Sequence, residues 1–443
     1  MARCSSLSQP HDPDLSGMLK VFIATGLGFM LLPGTFVGVV NLLKISSAHA
    51  PGAADSGWVQ AHGHAQVFGW LGTFILGIGY YAIPRLRLSP FSYRAAWTTY
   101  ALWTAGVTMR WAVGTWPWQW RVLFPLAGFL ELAAVAIFAI SVFAARPRAR
   151  DDAWHKSVVI ITAAGTAMVI AVAVNACESL IVALTADAPV FPAAFNQRFL
   201  VLITWGFIVP FIWGFSSRWV PPLLGLRKTR KALLIPTLVT LFIGVGIAAA
   251  GQLAVSAMLL LIAAILFAVA LRIFEPSAKE AKLRGVHEWT PLFIRGAYAW
   301  SVVAAALAIV AALVPAPNGY AGASRHAITV GFFAAAVFSI GPRILPAFFN
   351  VRRLWSTRMM AASLLLLNIG CTTRVVSQIL AYQHLSSSAW HTLTMSAIIE
   401  MLAVTLFAAN MLMTLTTGSP LEGLLEAQRE REALDRVREA QTA

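Results

Sequence analysis

The stretch "AHGHAQVFGWLGTFILGIGYYAIPRL" (61–86) decides the fold class. Between His64 and Pro84 no residue carries a charge. At about 1.5 Å per helical residue, twenty residues cover the roughly 30 Å hydrocarbon core of a bilayer. The run nevertheless opens on two imidazoles, His62 and His64, which are costly in lipid unless something engages them. Composition extends this reading to the whole chain. Of 443 residues, 58% are hydrophobic and 12% charged, and the mean hydropathy is +0.73. Soluble domains carry about 25% charged residues, so the composition excludes a soluble chain with a large core.

Length and punctuation place twelve spans, at about 19–43, 62–84, 94–115, 121–145, 156–184, 197–219, 230–250, 253–274, 292–314, 325–347, 357–382 and 390–416. The first apolar run, "VFIATGLGFMLLPGTFVGVVNLL" (21–43), is longer than the 7–15-residue core of a signal peptide and reads as an uncleaved span. The 231–274 block is divided at "AAAGQLA", around Gly251 and Gln252. Loops after even-numbered spans hold twenty-one Lys and Arg residues, and loops after odd-numbered spans hold Lys44, Arg121, Arg198 and Arg325. By the positive-inside rule both termini lie in the cytoplasm, and the location expected is a bacterial inner membrane, crossed many times. The same asymmetry accounts for the net charge of +15 without nucleic acid as a partner. Cys4, Cys177 and Cys371 are too dispersed for a disulfide framework or a Cys/His metal motif. Trp116, Trp118 and Trp120 form an outer interfacial belt.

An internal repeat organises the spans. "HAQVFGWLGTFILGIGYYAIPRL" from His64 aligns with "HAITVGFFAAAVFSIGPRILPAF" from His326, matching Gly69 with Gly331, Gly79 with Gly341 and Pro84 with Pro346. Further along, Arg94 matches Arg358, Gly106 matches Gly370, Arg110 matches Arg374, and "ELAAVAIFA" from Glu131 matches "EMLAVTLFA" from Glu400. A third copy, "VLITWGFIVPFIWGFSSRWVPPLL", places Val201 at the histidine position. The expected architecture is all-α, with about twelve transmembrane helices in three pseudo-threefold four-helix units: 1–150, 151–280 (lacking the histidine) and 281–418. A charged cytoplasmic tail, 419–443, follows.

Six histidines lie at the outer face: His49, His62, His64, His326, His384 and His391; His11, His155 and His287 fall on the cytoplasmic side. Imidazoles converging across a bundle are natural axial ligands of haem iron. On this reading His64 and His326 ligate a b-type haem, since the chain has no CxxCH for covalent attachment. Gly69 and Gly72 let the macrocycle approach, and Phe68 and Trp70 pack on it. His62 competes with His64: two helical residues apart, they point about 200° apart, so only one faces the iron. The other is free for a propionate or a copper ion, and His49, His384 and His391 extend a possible copper site. Arg110, Arg374 and Arg325 are candidates for the propionates through charge-assisted hydrogen bonds. Glu131 and Glu400, about ten residues into their spans, are candidate proton-relay groups or structural partners of the arginines. Asn175 and Glu178 have no repeat counterpart in this alignment.

Twelve spans in three units, with histidines at the outer ends of spans 2 and 10, resemble subunit I of the haem–copper oxidase superfamily. "HGHAQVFG" (62–69) and "HAITVG" (326–331) resemble in particular the NnrS family, haem-containing membrane proteins linked to nitric oxide tolerance. Ala65–Gln66 departs from that family's pattern, where an acidic residue and a methionine are common. The resemblance implies a haem near the periplasmic face, a nitric-oxide-related role, and nitric oxide or a periplasmic electron donor as partner. No histidine lies between His155 and His287, so the middle-unit copper ligands of an oxygen reductase are missing from the sequence. Two other functions stay open: a membrane electron-transfer subunit and a secondary transporter.

Overall fold

The computed structural model describes residues 13–87, 91–143, 155–283, 285–315, 318–349, 351 and 353–417. The charged tail, and the Arg146–Arg150 loop counted in the orientation argument, lie outside these residues. Eleven described helices are long and apolar enough to cross a membrane: α1 (Asp14–Ser47), α2 (Ser56–Pro84), α4 (Trp120–Val142), α5 (Lys156–Thr185), α6 (Ala193–Leu224), α7 (Lys231–Ala249), α8 (Leu253–Leu271), α9 (Thr290–Leu313), α10 (Gly319–Phe348), α11 (Thr357–Tyr382) and α12 (Ala389–Thr417). The remaining expected span is α3 (Tyr93–Thr115), a 23-residue helix that is less apolar than the others. The 231–274 block breaks where Gly251 takes a left-handed φ of 87°, a conformation open to glycine at no steric cost.

Helices are the natural form for these runs because lipid offers no partner to a backbone N–H or C=O. The outward faces are as apolar as the interior: Leu184, Ile140 and Leu313 are 73%, 68% and 66% exposed. In water such faces would be a liability; against acyl chains they are solvated. Consecutive helices pack side by side, and α12 lies against α1, closing the bundle into a ring.

The repeat is visible in which helices go inside. In the most apolar stretch of each helix, 89% of residues are buried in α2, 72% in α6 and 61% in α10, against at most 50% in the other spans. These are the three second spans of the aligned units. They meet at Phe68–Phe199, Trp70–Phe338 and Trp219–Phe348, and Tyr81 Oη donates to the Phe348 carbonyl at 2.9 Å. Each also carries a π-helical segment that starts one residue after the aligned position: Ala65–Gly72 after His64, Leu202–Ile208 after Val201 and Ala327–Ala334 after His326. A π turn inserts an extra residue, re-aims the side chains beyond it, and is frequent at functional sites. A fourth, Met30–Phe36, surrounds Pro33 in α1, where the missing N–H opens the ladder.

Candidate functional site

A cavity of about 1110 Å³ lies between the inner helices and the α1–α11–α12 wall, above the roughly 300–1,000 Å³ typical of drug-sized ligands. His62, His64, His326, Arg110, Arg325, Arg374, Gln378, Tyr382 and Glu400 all line it. The structure therefore brings together the three histidines, three arginines and one of the two glutamates singled out in the sequence. Glu131 sits behind His64, fully buried.

The two histidines of the H-x-H motif have different fates. The His62 Nδ1 lies 2.8 Å from the carbonyl of Gly34, on the π segment of α1. A carbonyl can only accept, so Nδ1 carries the proton and the neutral ring's lone pair is on Nε2. Among the described residues Nε2 has no hydrogen bond. His326 is arranged alike: its Nδ1 donates to the Gly322 carbonyl at 2.9 Å, leaving Nε2 free. Both rings line the same cavity. An imidazole whose Nδ1–H is tied to a carbonyl, with Nε2 free, is the usual oriented metal ligand.

His64, the expected ligand, also lines the cavity, but its Nε2 is already engaged. Its Nε2 lies 2.7 Å from Glu131 Oε1, and its ring stacks on Phe68 at 4.5 Å between centroids and 8° between planes. Phe68 stacks in turn on Trp103 and Phe199. Asn175 donates to Glu131 Oε2 at 3.0 Å, so both carboxylate oxygens are held. The 200° divergence of residues two apart gives one imidazole a partner on α1 and the other a partner on α4, although both residues line the cavity.

The glycines beside the motif correct a further expectation. A methyl group on Gly69 would stand 2.9 Å from Phe29 Cβ, and one on Gly72 2.5 Å from Trp103 Cζ2. Both make room for neighbouring side chains rather than for a cofactor. Gly38 is the glycine that admits the site: a methyl there would lie 2.6 Å from His62 Cε1.

Neither arginine forms an ion pair with the glutamate of its own unit. Among the described residues the ion pairs are His64–Glu131, Arg230–Glu275 and Arg272–Glu275. Arg110 is 1% exposed and lies over the Phe124 and Phe191 rings at 4.0 and 5.2 Å. Its Nε and Nη1 are buried without a hydrogen-bond partner, as is Arg374 Nη1. Arg325 Nε donates to the Ala321 carbonyl. Buried guanidinium nitrogens with nothing to donate to are costly, and anionic ligand groups would satisfy them. Two imidazoles with free Nε2 atoms and unpaired arginines on the same cavity fit the donor set of a bis-histidine haem with its propionates. The repeat singles out His326, Arg110 and Arg374 in the sequence; His62 and Arg325 stand beside its aligned histidines. The carbonyls that orient the rings, and the bridge in which Gln60 Nε2 donates to the Phe191 carbonyl while Phe191 N donates to Gln60 Oε1, left no sequence signal.

The outer-face copper candidates do not assemble into a cluster. His49 stacks on Trp390 and meets His391 edge-on at 6.5 Å between centroids. No group of three or more His, Cys, Asp or Glu side chains able to hold a metal occurs among the described residues. Glu178 is half-buried on α5 and does not line the cavity.

With this geometry established, comparison with known proteins supports the fold. Residues 222–416 match a family described as a domain of unknown function, DUF8744. No curated protein matches the sequence. Among solved structures, a heme-copper terminal oxidase dimer determined by cryo-EM is similar over 91% of this chain and 84% of that chain, with a TM-score of 0.72 at 11% identity. The protein is an all-helical membrane protein with the fold of a haem–copper oxidase chain.

Proposed function

We propose that this chain is a haem-binding electron-transfer protein of a bacterial inner membrane, holding one b-type haem between His62 of α2 and His326 of α10. The observation that carries the reading is the matched pair of imidazoles on one cavity, each with Nδ1 tied to a backbone carbonyl and Nε2 free. The similarity in fold to a heme-copper terminal oxidase supports the choice of cofactor. Bound there, the haem supplies a one-electron redox centre. His62 and His326 would hold its iron, and Arg374, Arg110 and Arg325 would take the propionates. His64 is committed to Glu131 and orders the wall between α2 and α4.

If both imidazoles held the iron, no position would be left for a substrate, which favours electron transfer over turnover. The nitric-oxide-related role implied by the resemblance to the NnrS family stands as a second reading. It is supported by an apolar wing of the cavity, lined by Leu200, Val201, Leu253, Ala257, Leu260 and Ala308. This wing suits a small uncharged diatomic, whose binding at the iron would require one imidazole to leave. The test is the optical spectrum of the purified chain, oxidised and reduced, before and after nitric oxide. A low-spin bis-histidine spectrum unmoved by nitric oxide supports electron transfer, and one that converts supports the second reading. A protein that retains no haem refutes both.

A further inference from the structure

The repeated glutamates have diverged, and the divergence assigns one of them a task. Each lies against a glycine of the preceding span: methyl groups on Gly106 and Gly370 would stand 2.8 Å from Glu131 Cγ and 2.7 Å from Glu400 Cγ. In the first unit His64 and Asn175 occupy both oxygens of Glu131. In the third unit neither partner is present. His326, aligned with His64, spends its Nδ1–H on Gly322. Asn175 belongs to α5, the helix after Glu131; after α12 the ring closes on α1. There "VGVVN" (37–41) parallels "AVAVN" (171–175), setting Asn41 beside Asn175 in register. Asn41 is 5% exposed, and both its side-chain atoms lack a hydrogen-bond partner. Glu400 Oε1, Gln378 Oε1 and Arg374 Nη1 are likewise buried and unpartnered, and all four residues line the cavity.

This wall holds three unpartnered acceptor oxygens, on Glu400, Asn41 and Gln378. A proton on Glu400 turns one acceptor into a donor. We propose that Glu400 is a redox-linked proton site, taking up one proton when the haem of this cavity is reduced and releasing it on oxidation. The inference rests on the haem reading above. One electron from a reductant enters the cofactor, one proton from water enters Glu400, and the net charge of the cavity is unchanged. A positive charge on the oxidised cofactor would favour the ionised carboxylate, and its loss on reduction would favour the protonated one, so in a low-dielectric interior the proton follows the electron. Glu131 cannot serve, because both its oxygens are already held. The groups facing Glu400 are Arg374 and Cys371 from α11, with Arg325 and Tyr382 beside Arg374. His62 and His326 share the cavity, and α1 offers the neutral Asn41.

The test is a mediated spectroelectrochemical titration of the haem-loaded full chain across the neutral pH range. A tenfold change in proton activity corresponds to about 59 mV for one electron. The wild type should approach that slope per pH unit, and Glu400→Gln should flatten it. In the reduced-minus-oxidised infrared spectrum a protonated-carboxyl band should appear on reduction and be missing in Glu400→Gln. A flat wild-type slope, or a variant that keeps the slope, overturns the proposal while leaving the haem reading intact. A wild-type chain that takes no haem overturns both. If Glu400→Gln does not fold, the wild-type infrared spectrum decides alone, and the lack of a carboxyl band refutes the proposal.

Discussion

Replacing His62 and His64 one at a time by alanine separates binding from architecture, because the two rings make different investments. His64→Ala strips Glu131 Oε1 of its partner and leaves a fully buried carboxylate with Asn175 alone. Removing one member of a buried pair costs about 3–5 kcal/mol, or roughly two to four orders of magnitude in the folding equilibrium. Loss of the Phe68 stack adds to this. His62→Ala forfeits one hydrogen bond to Gly34, worth about 0.5–1.5 kcal/mol. The carbonyl it leaves still accepts from Val37 N–H, so no orphan is created. His62→Ala should therefore fold nearly as well as the wild type and lose the low-spin haem spectrum. His64→Ala should keep that spectrum at permissive temperature and unfold far more readily. The assay is denaturant unfolding in mixed micelles followed by tryptophan fluorescence, with the optical spectrum recorded on the same samples. The reverse pattern, a stable His64→Ala without low-spin haem beside a haem-replete His62→Ala, would falsify the assignment of the two rings.

Gly38→Ala should push the His62 ring, at a cost of about 1–3 kcal/mol for overpacking, and lower haem content although both iron ligands remain in the chain; pigment-to-protein ratio measures it. Arg374→Gln removes a cation from the cavity and should lower the haem midpoint potential, because a nearby positive charge favours the reduced state; potentiometry reads the sign. Gln60→Ala breaks both bonds to the Phe191 backbone, and hydrogen exchange at that loop should quicken relative to the rest of the chain. Outside the membrane, the hydrogen bond from Arg272 holds the Glu275 carboxyl below its ordinary range, with smaller contributions from the charges of Arg272 and Arg230. A depressed carboxylate stabilises the fold at neutral pH, and that contribution is lost as pH falls through the folded-state value. Glu275→Gln should thus differ from the wild type near neutrality, the difference should vanish in acid, and salt should shrink it.

The chain's own chemistry determines the membrane and the repeat. Apolar runs of bilayer length have one workable backbone, and punctuation by Gly251 separates α7 from α8 before any packing is known. The register of His64, Val201 and His326 is legible because each aligned span also carries its glycines and proline in step. What the sequence could not decide is which imidazole of H-x-H keeps its Nε2 free in the cavity. Helical geometry says only that the two diverge; the choice belongs to what stands opposite, Gly34 on α1 or Glu131 on α4. The same holds for the glutamates, alike in sequence and unlike in surroundings. Asn175 reaches Glu131 because α5 follows α4, whereas the helix that carries Glu400 packs on α1, more than 350 residues away in the chain. Local pattern sets which residues point inward along a helix. Which inward residues meet is decided by ring closure, a long-range property that no short stretch of sequence encodes.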